Sequence, residues 1–146
     1  MAHYKQGIYK PKNPEKYKGN PTGICFRSSY EFRMFFWLDN HPEVISWSSE
    51  EFAISYRDPT TGRSRRYFPD IFFTVKSGKK YLVEIKPYAE TIPPKMSPCK
   101  NGKPRKSDMR KAMTFAINQA KWEAAKLLCE KKNWEWTIIT EKNLPK

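Results

Sequence analysis

RYFPDIFFTVKSGKKYLVEIK, residues 66–86, carries two apolar runs around a short turn, and its reading decides the fold. The first run, 67–75, is rich in aromatic and β-branched residues; the second, 79–87, begins after Lys76-Ser77-Gly78. A three-residue hairpin loop needs a left-handed residue at its last position, which Gly78 supplies. With that loop Val75 pairs with Lys79, and counting back puts Asp70 directly opposite Glu84. Cross-strand partners hold their Cβ atoms about 4.5–5.5 Å apart. Like charges at that spacing destabilise a sheet unless something positive lies between them. A divalent cation suits the gap, since Mg²⁺ is held by one or two carboxylates plus water and substrate phosphate. Lys86, two residues past Glu84, projects from the same face. A register slip of one residue would move Asp70 off that face, and a purely structural ion-pair cluster is the alternative reading.

Outward from the hairpin, Ser28-Ser29-Tyr30-Glu31 fits a capping box and predicts a helix over about 29–40, closed by Asn40-His41-Pro42. Phe52, Ile54 and Tyr56 alternate with small residues and predict a strand ending at Asp58-Pro59-Thr60-Thr61-Gly62. Beyond the hairpin, Met109, Met113, Ala116, Ile117, Ala120, Ala124, Leu127 and Leu128 recur at helical spacing and define the expected inner face of a long helix. A last strand is expected over 134–140. The order α-β-β-β-α-β predicts a mixed α/β (α+β) fold with helices flanking a small sheet.

The chain has 146 residues, room for one ordinary domain, and 28 Lys plus Arg against 15 Asp plus Glu, a formal net charge of +13. The charge is uneven. Residues 1–27 carry six basic groups and one acidic, and residues 88–112 carry seven and two. Both stretches are proline-rich and lack an apolar period, so they read as a basic arm over 1–27 and a basic loop over 88–107 on a single domain spanning 28–146. Neither could lie in a membrane as an amphipathic helix does. Polyphosphate is their natural counter-charge, because each neutralised phosphate releases a counterion. A polyphosphate partner is therefore expected, with a solvated surface as the plainer alternative. No apolar run long enough to span a bilayer and no secretory h-region is present. Cys25, Cys99 and Cys129 are odd in number and widely spaced, which fits a reducing, cytoplasmic setting better than a disulfide framework.

Pro69-Asp70, thirteen intervening residues and Glu84-Ile85-Lys86 resemble the PD-(D/E)-x-K signature of the restriction-endonuclease-like nuclease superfamily. A second triplet, Glu130-Lys131-Lys132, lacks both a strand context and a preceding Pro-Asp. The resemblance covers roughly 28–140. It implies phosphodiester hydrolysis with Mg²⁺ or Mn²⁺ bound by Asp70 and Glu84, joined by the Ile85 carbonyl, and with Lys86 orienting or polarising the attacking water. It also suggests that Glu31 completes the metal site, beside its capping-box role, and that Gln119 approaches the site, beside an ordinary place on a helix flank.

At the level of whole phrases (Phe26-Arg27-Ser28-Ser29-Tyr30-Glu31, Trp47-Ser48-Ser49-Glu50-Glu51, Arg66-Tyr67-Phe68-Pro69-Asp70, Asn118-Gln119-Ala120-Lys121-Trp122) the chain resembles the head completion nucleases of T-even-type tailed phages. It is also similar to the endonuclease subunits of Tn7-type transposases. The phage resemblance implies packaged or branched DNA as substrate, phage head and neck proteins as partners, and a place in host cytoplasm or at the capsid. A non-catalytic DNA-binding or head–neck assembly protein is the competing class. For DNA contact the candidates are Arg63, Arg65 and Arg66 ahead of Asp70, then Lys95, Lys100, Lys103, Arg105 and Lys106 in the loop leaving the site, and Lys121. The five tryptophans are expected in the core and His41 at a helix end.

Overall fold

A computed structural model describes residues 6–96 and 102–145. Lys100 and Cys99 lie outside the described residues. The elements in chain order are β1 (Gly7–Ile8), β2 (Cys25–Phe26), α1 (Ser29–Asn40), β3 (Val44–Ser48), β4 (Ile54–Arg57), β5 (Ser64–Tyr67), β6 (Ile71–Val75), β7 (Lys80–Ile85), α2 (Lys106–Lys132) and β8 (Glu135–Ile139).

The main sheet runs β3-β6-β7-β8, antiparallel except for the last pair. The β6–β7 hairpin closes as the loop chemistry predicts. The Gly78 amide donates to the Val75 carbonyl at 2.9 Å, the Val75 amide donates to the Lys79 carbonyl at 3.0 Å, and Gly78 has φ +90°. Phe72 faces Leu82 and Ile71 faces Val83, so continuing the register puts Asp70 opposite Glu84. β8 returns parallel to β7, which requires a crossover, and α2 provides it.

Alternation along the central strands separates two cores. Ile71 and Phe73 on β6, with Val83 and Ile85 on β7, face α1 and pack on Met34, Phe35, Leu38 and Trp47. Leu82 faces the other way, onto Trp122, Ala125 and Cys129 of α2 and the inner side of the β4–β5 ribbon. The middle of the sheet is thus covered on both faces, and four consecutive residues of β7, Leu82 to Ile85, are buried.

The expected α-β-β-β-α-β order is realised as α1-β3-β6-β7-α2-β8, with corrected membership. The strand read at 52–56 belongs to β4, half of a separate ribbon with β5. The first core strand is instead Val44–Ser48, whose exposed Ile45 spoils any clean alternation. The run read as one strand over 67–75 is two, broken at Phe68-Pro69-Asp70, where proline cannot donate to a ladder. On α2 the buried positions are Asp108, Asn118, Trp122, Ala125 and Cys129, whereas Met109, Met113 and Leu127 are exposed. The inner face is therefore rotated from the expected one. The left-handed Asn133 ends this helix, its amide donating back to carbonyls in the last turn.

Residues 6–27 do not form a detached arm. Tyr9, Tyr17 and Ile24 are buried in the α1-side core. The anchor is Asp39, fully buried at the end of α1, which accepts from the Tyr9 hydroxyl at 2.7 Å and from the Lys12 and Asn13 amides at 2.7 and 3.0 Å. Asp39→Ala would leave three donors unsatisfied and is expected to cost about 3 kcal/mol in urea unfolding. Phe36→Ala, on the exposed side of the same helix, should cost under about 1 kcal/mol.

Candidate active site

At the end of the sheet where β6 begins and β7 ends, three acidic groups meet two layers of the fold. Asp70 follows Pro69, and its Oδ2 accepts the Ile85 amide at 2.8 Å. A strand residue directs its N–H and C=O to the same side. The Ile85 carbonyl therefore also faces Asp70. Glu84 is buried, with Oε1 accepting from the Tyr67 hydroxyl and Oε2 lying 3.9 Å from the Lys86 ammonium. Asp70, Glu84 and Lys86 thus share one end of one hairpin, as the loop predicts.

Glu31 reaches this end from the first turn of α1. Its amide donates to Ser28 Oγ at 3.2 Å, and its Oε2 accepts the Arg27 amide at 3.2 Å. The capping role and proximity to the site coexist: burial, and then the nearby charge of Asp70, raise its pKa to about 7. Asp70 and Glu84 are also held above the ordinary carboxylate range. Burial is the main cause in both, and Asp70 adds to the effect on Glu84. These are carboxylates short of positive charge in a protein that has a large excess of it.

A TnsA-like endonuclease N-terminal domain model matches residues 41–141. The chain is also 41% identical over 138 residues to the head completion nuclease of Enterobacteria phage T4, covering 94% of this chain and 92% of that protein. The chain belongs to the TnsA-like endonuclease family. The mixed core, with its hairpin and its α2 crossover to a parallel strand, has the restriction-endonuclease-like order.

In this TnsA-like endonuclease the donor set fits a hard cation. Among the described residues the available ligands are oxygens, with no His or Cys drawn into the group, a donor set that suits Mg²⁺ or Mn²⁺ better than zinc. Among the described residues no three His, Cys, Asp or Glu side chains converge as a ready cage. Glu31 accordingly stands near Asp70 without closing a three-carboxylate cluster. A pair of carboxylates and a carbonyl, with positions left for water and phosphate, is the usual way Mg²⁺ is held.

The other candidates separate. Lys121 comes to the site, its ammonium 5.7 Å from the centre of the Tyr67 ring and 5.9 Å from that of Tyr56, where its charge favours ionised Glu84. Gln119 is exposed and lines a different groove with Thr91, Trp122 and Trp136. Arg65 is tied to Asp58 at 2.9 Å, and Arg66 lies over the Phe68 ring at 5.2 Å. Arg63, Lys95, Lys103 and Lys106 are exposed, while Arg105 sits 3.7 Å from Asp108. Trp47 and Trp122 are core residues, and His41 caps α1 by donating its amide to the Trp37 carbonyl.

Two site residues escape a reading by motif. Tyr67, a buried neighbour on β5, holds Glu84, and its own pKa is raised by burial and the Glu84 charge. Glu50 has φ +52°, forms a 2.8 Å ion pair with Arg27, and adds negative potential at Asp70. A non-glycine residue held in the left-handed region marks a locally over-determined backbone.

The raised carboxylates fix a pH dependence. Their folded pKa values lie above the unfolded ones, so the folded state binds more protons and its stability falls as pH rises from about 5 to 8. Asp58 and Glu141 are shifted the other way, but both complete their titration at lower pH. With chelator present, the melting temperature should be about 5–10 °C higher at pH 5.5 than at pH 8. Glu84→Gln should flatten this slope in calorimetric scans.

Proposed function

We propose that this protein is a divalent-metal-dependent DNA endonuclease that hydrolyses phosphodiester bonds in packaged or branched DNA during phage head completion, before head–tail joining. The observation carrying the proposal is the convergence of Asp70, Glu84 and Lys86 at one end of the β6–β7 hairpin, with the carboxylates underneutralised. Asp70, Glu84 and the Ile85 carbonyl would hold Mg²⁺ or Mn²⁺, which when bound supplies positive charge to the phosphate oxygens and acidifies a water.

The chain's own groups do the rest. Lys86 projects on the Glu84 side and orients the attacking water while countering charge that grows in the transition state. Tyr67 fixes the Glu84 rotamer, so that one carboxylate oxygen is spoken for and the other faces the site. Glu31 supports the site from α1 through the potential it shares with Asp70. Exposed Lys and Arg around the 88–107 loop provide phosphate contacts that position DNA without reading its sequence. Phage head and neck proteins are the partners that accompany this role.

Supercoiled plasmid should be nicked with Mg²⁺ or Mn²⁺ and left intact with chelator. Asp70→Ala, Glu84→Ala and Lys86→Ala should each lower nicking by about 10²–10³-fold or more while retaining DNA in gel shifts. Tyr67→Phe, which leaves Glu84 unsupported, should lose about 10–100-fold. Wild-type protein that binds plasmid but never cuts it with either ion would sink the proposal and leave an assembly protein in its place.

A further inference from the structure

A cleft of about 550 Å³ lies between the segment that follows Lys86 and the first half of α2. Its size is within the roughly 300–1,000 Å³ of sites that take small organic groups. Ile92, Pro94 and Phe115 give it apolar walls, and Lys95 and Arg110 stand on its rim. Asn118 lines it from α2. Asn118 is only 6% exposed, and its amide atoms open to the cleft, unlike the indole nitrogens of Trp47 and Trp122, which are sealed from solvent. A ligand entering the cleft displaces water from this amide and must return hydrogen bonds to it, or binding loses free energy.

The position is as telling as the lining. Trp122 packs on Leu82 in the α2-side core. Asn118 is one helical turn earlier, displaced about 6 Å toward the end of β7 that carries Glu84 and Lys86. The facing wall is held in place: the Tyr88 amide donates to Glu141 Oε1 at 2.8 Å, the Lys142 ammonium sits 3.4 Å from the centre of the Tyr88 ring, and the Thr91 amide donates to the Tyr88 carbonyl at 2.9 Å. The cleft is therefore built on a fixed wall, and both of its walls lie toward the end of the sheet from which Lys86 leaves.

We infer that this cleft takes the base of an unpaired nucleotide next to the bond to be cut, with Asn118 on the base edge and Lys95 and Arg110 on the flanking phosphates. The inference rests on the endonuclease reading and narrows its substrate class to DNA with an extrahelical or single-stranded nucleotide. A bare phosphate fits the interior poorly, because the walls are apolar and Glu90 contributes a carboxylate to them. A base offers a flat apolar face to Phe115 and both donors and acceptors to an amide, and stacking of this kind tolerates any sequence.

The test uses binding without cleavage, in chelator, so that it stays separate from failure of the metal chemistry. A duplex with a single bulged 2-aminopurine is compared with the same duplex fully paired. The wild type should bind the bulged duplex about tenfold more tightly and quench its fluorescence on stacking. Asn118→Leu, close in shape, and Phe115→Ala should bring that preference toward one. Arg110→Ala, on an exposed helix position that the fold does not need, should weaken binding and reduce the salt slope by about one. Equal affinity of the wild type for both duplexes, no quenching, or a preference that survives Asn118→Leu in folded protein would overturn the assignment.

Discussion

The turn at Lys76-Ser77-Gly78 controls this protein. Gly78 takes a backbone conformation costly to residues with a Cβ, and the three-residue loop it permits fixes the β6–β7 register. Because side chains alternate strictly, that register alone decides which face Asp70, Glu84 and Lys86 occupy. A slip of one residue would send Leu82 into the α1-side core and Val83 toward α2. Both cores therefore oppose the slip, and the stability of the fold and the geometry of the site rest on the same constraint.

Electrostatic imbalance is the second organising feature. A chain with net charge +13 gathers Glu31, Glu50, Asp70 and Glu84 around one end of its sheet, and the nearby cations do not cancel them. Arg27 is engaged with Glu50, and Lys86 stands at a distance from Glu84 that allows attraction without full neutralisation. Burial without pairing costs folding free energy. The protein carries that cost at the open end of its sheet, while its net charge gives a general positive field elsewhere.

Much of this could be read from the residues, and the exceptions have physical causes. The hairpin register followed from one glycine and a count, and α1 followed from Ser28 and Glu31, because both signals are local. β3 carries no such local signal, because an edge strand of five residues, with Ile45 turned outward, lacks the alternation that the two-stranded β4–β5 ribbon shows. The periodicity of α2 points to the wrong face because apolar residues lie on its solvent side as well, and because Asn118 and Asp108, polar in the sequence, are buried. Tyr9 and Tyr17 sit singly among lysines and prolines, so their stretch read as an arm. Tyr67 could not be assigned from pattern: its bond to Glu84 spans 17 positions and exists only after the Pro69 break folds β5 over the sheet.

The parallel joint between β7 and β8 governs timing. The chain must traverse all of α2 before the strand flanking Glu84 and Ile85 is in place. Polypeptide leaves the ribosome at about 5–20 residues per second. The acidic pair thus spends several seconds of synthesis on a sheet of β3, β6 and β7 backed by α1 alone, with the α2-side face bare until Glu135–Ile139 docks.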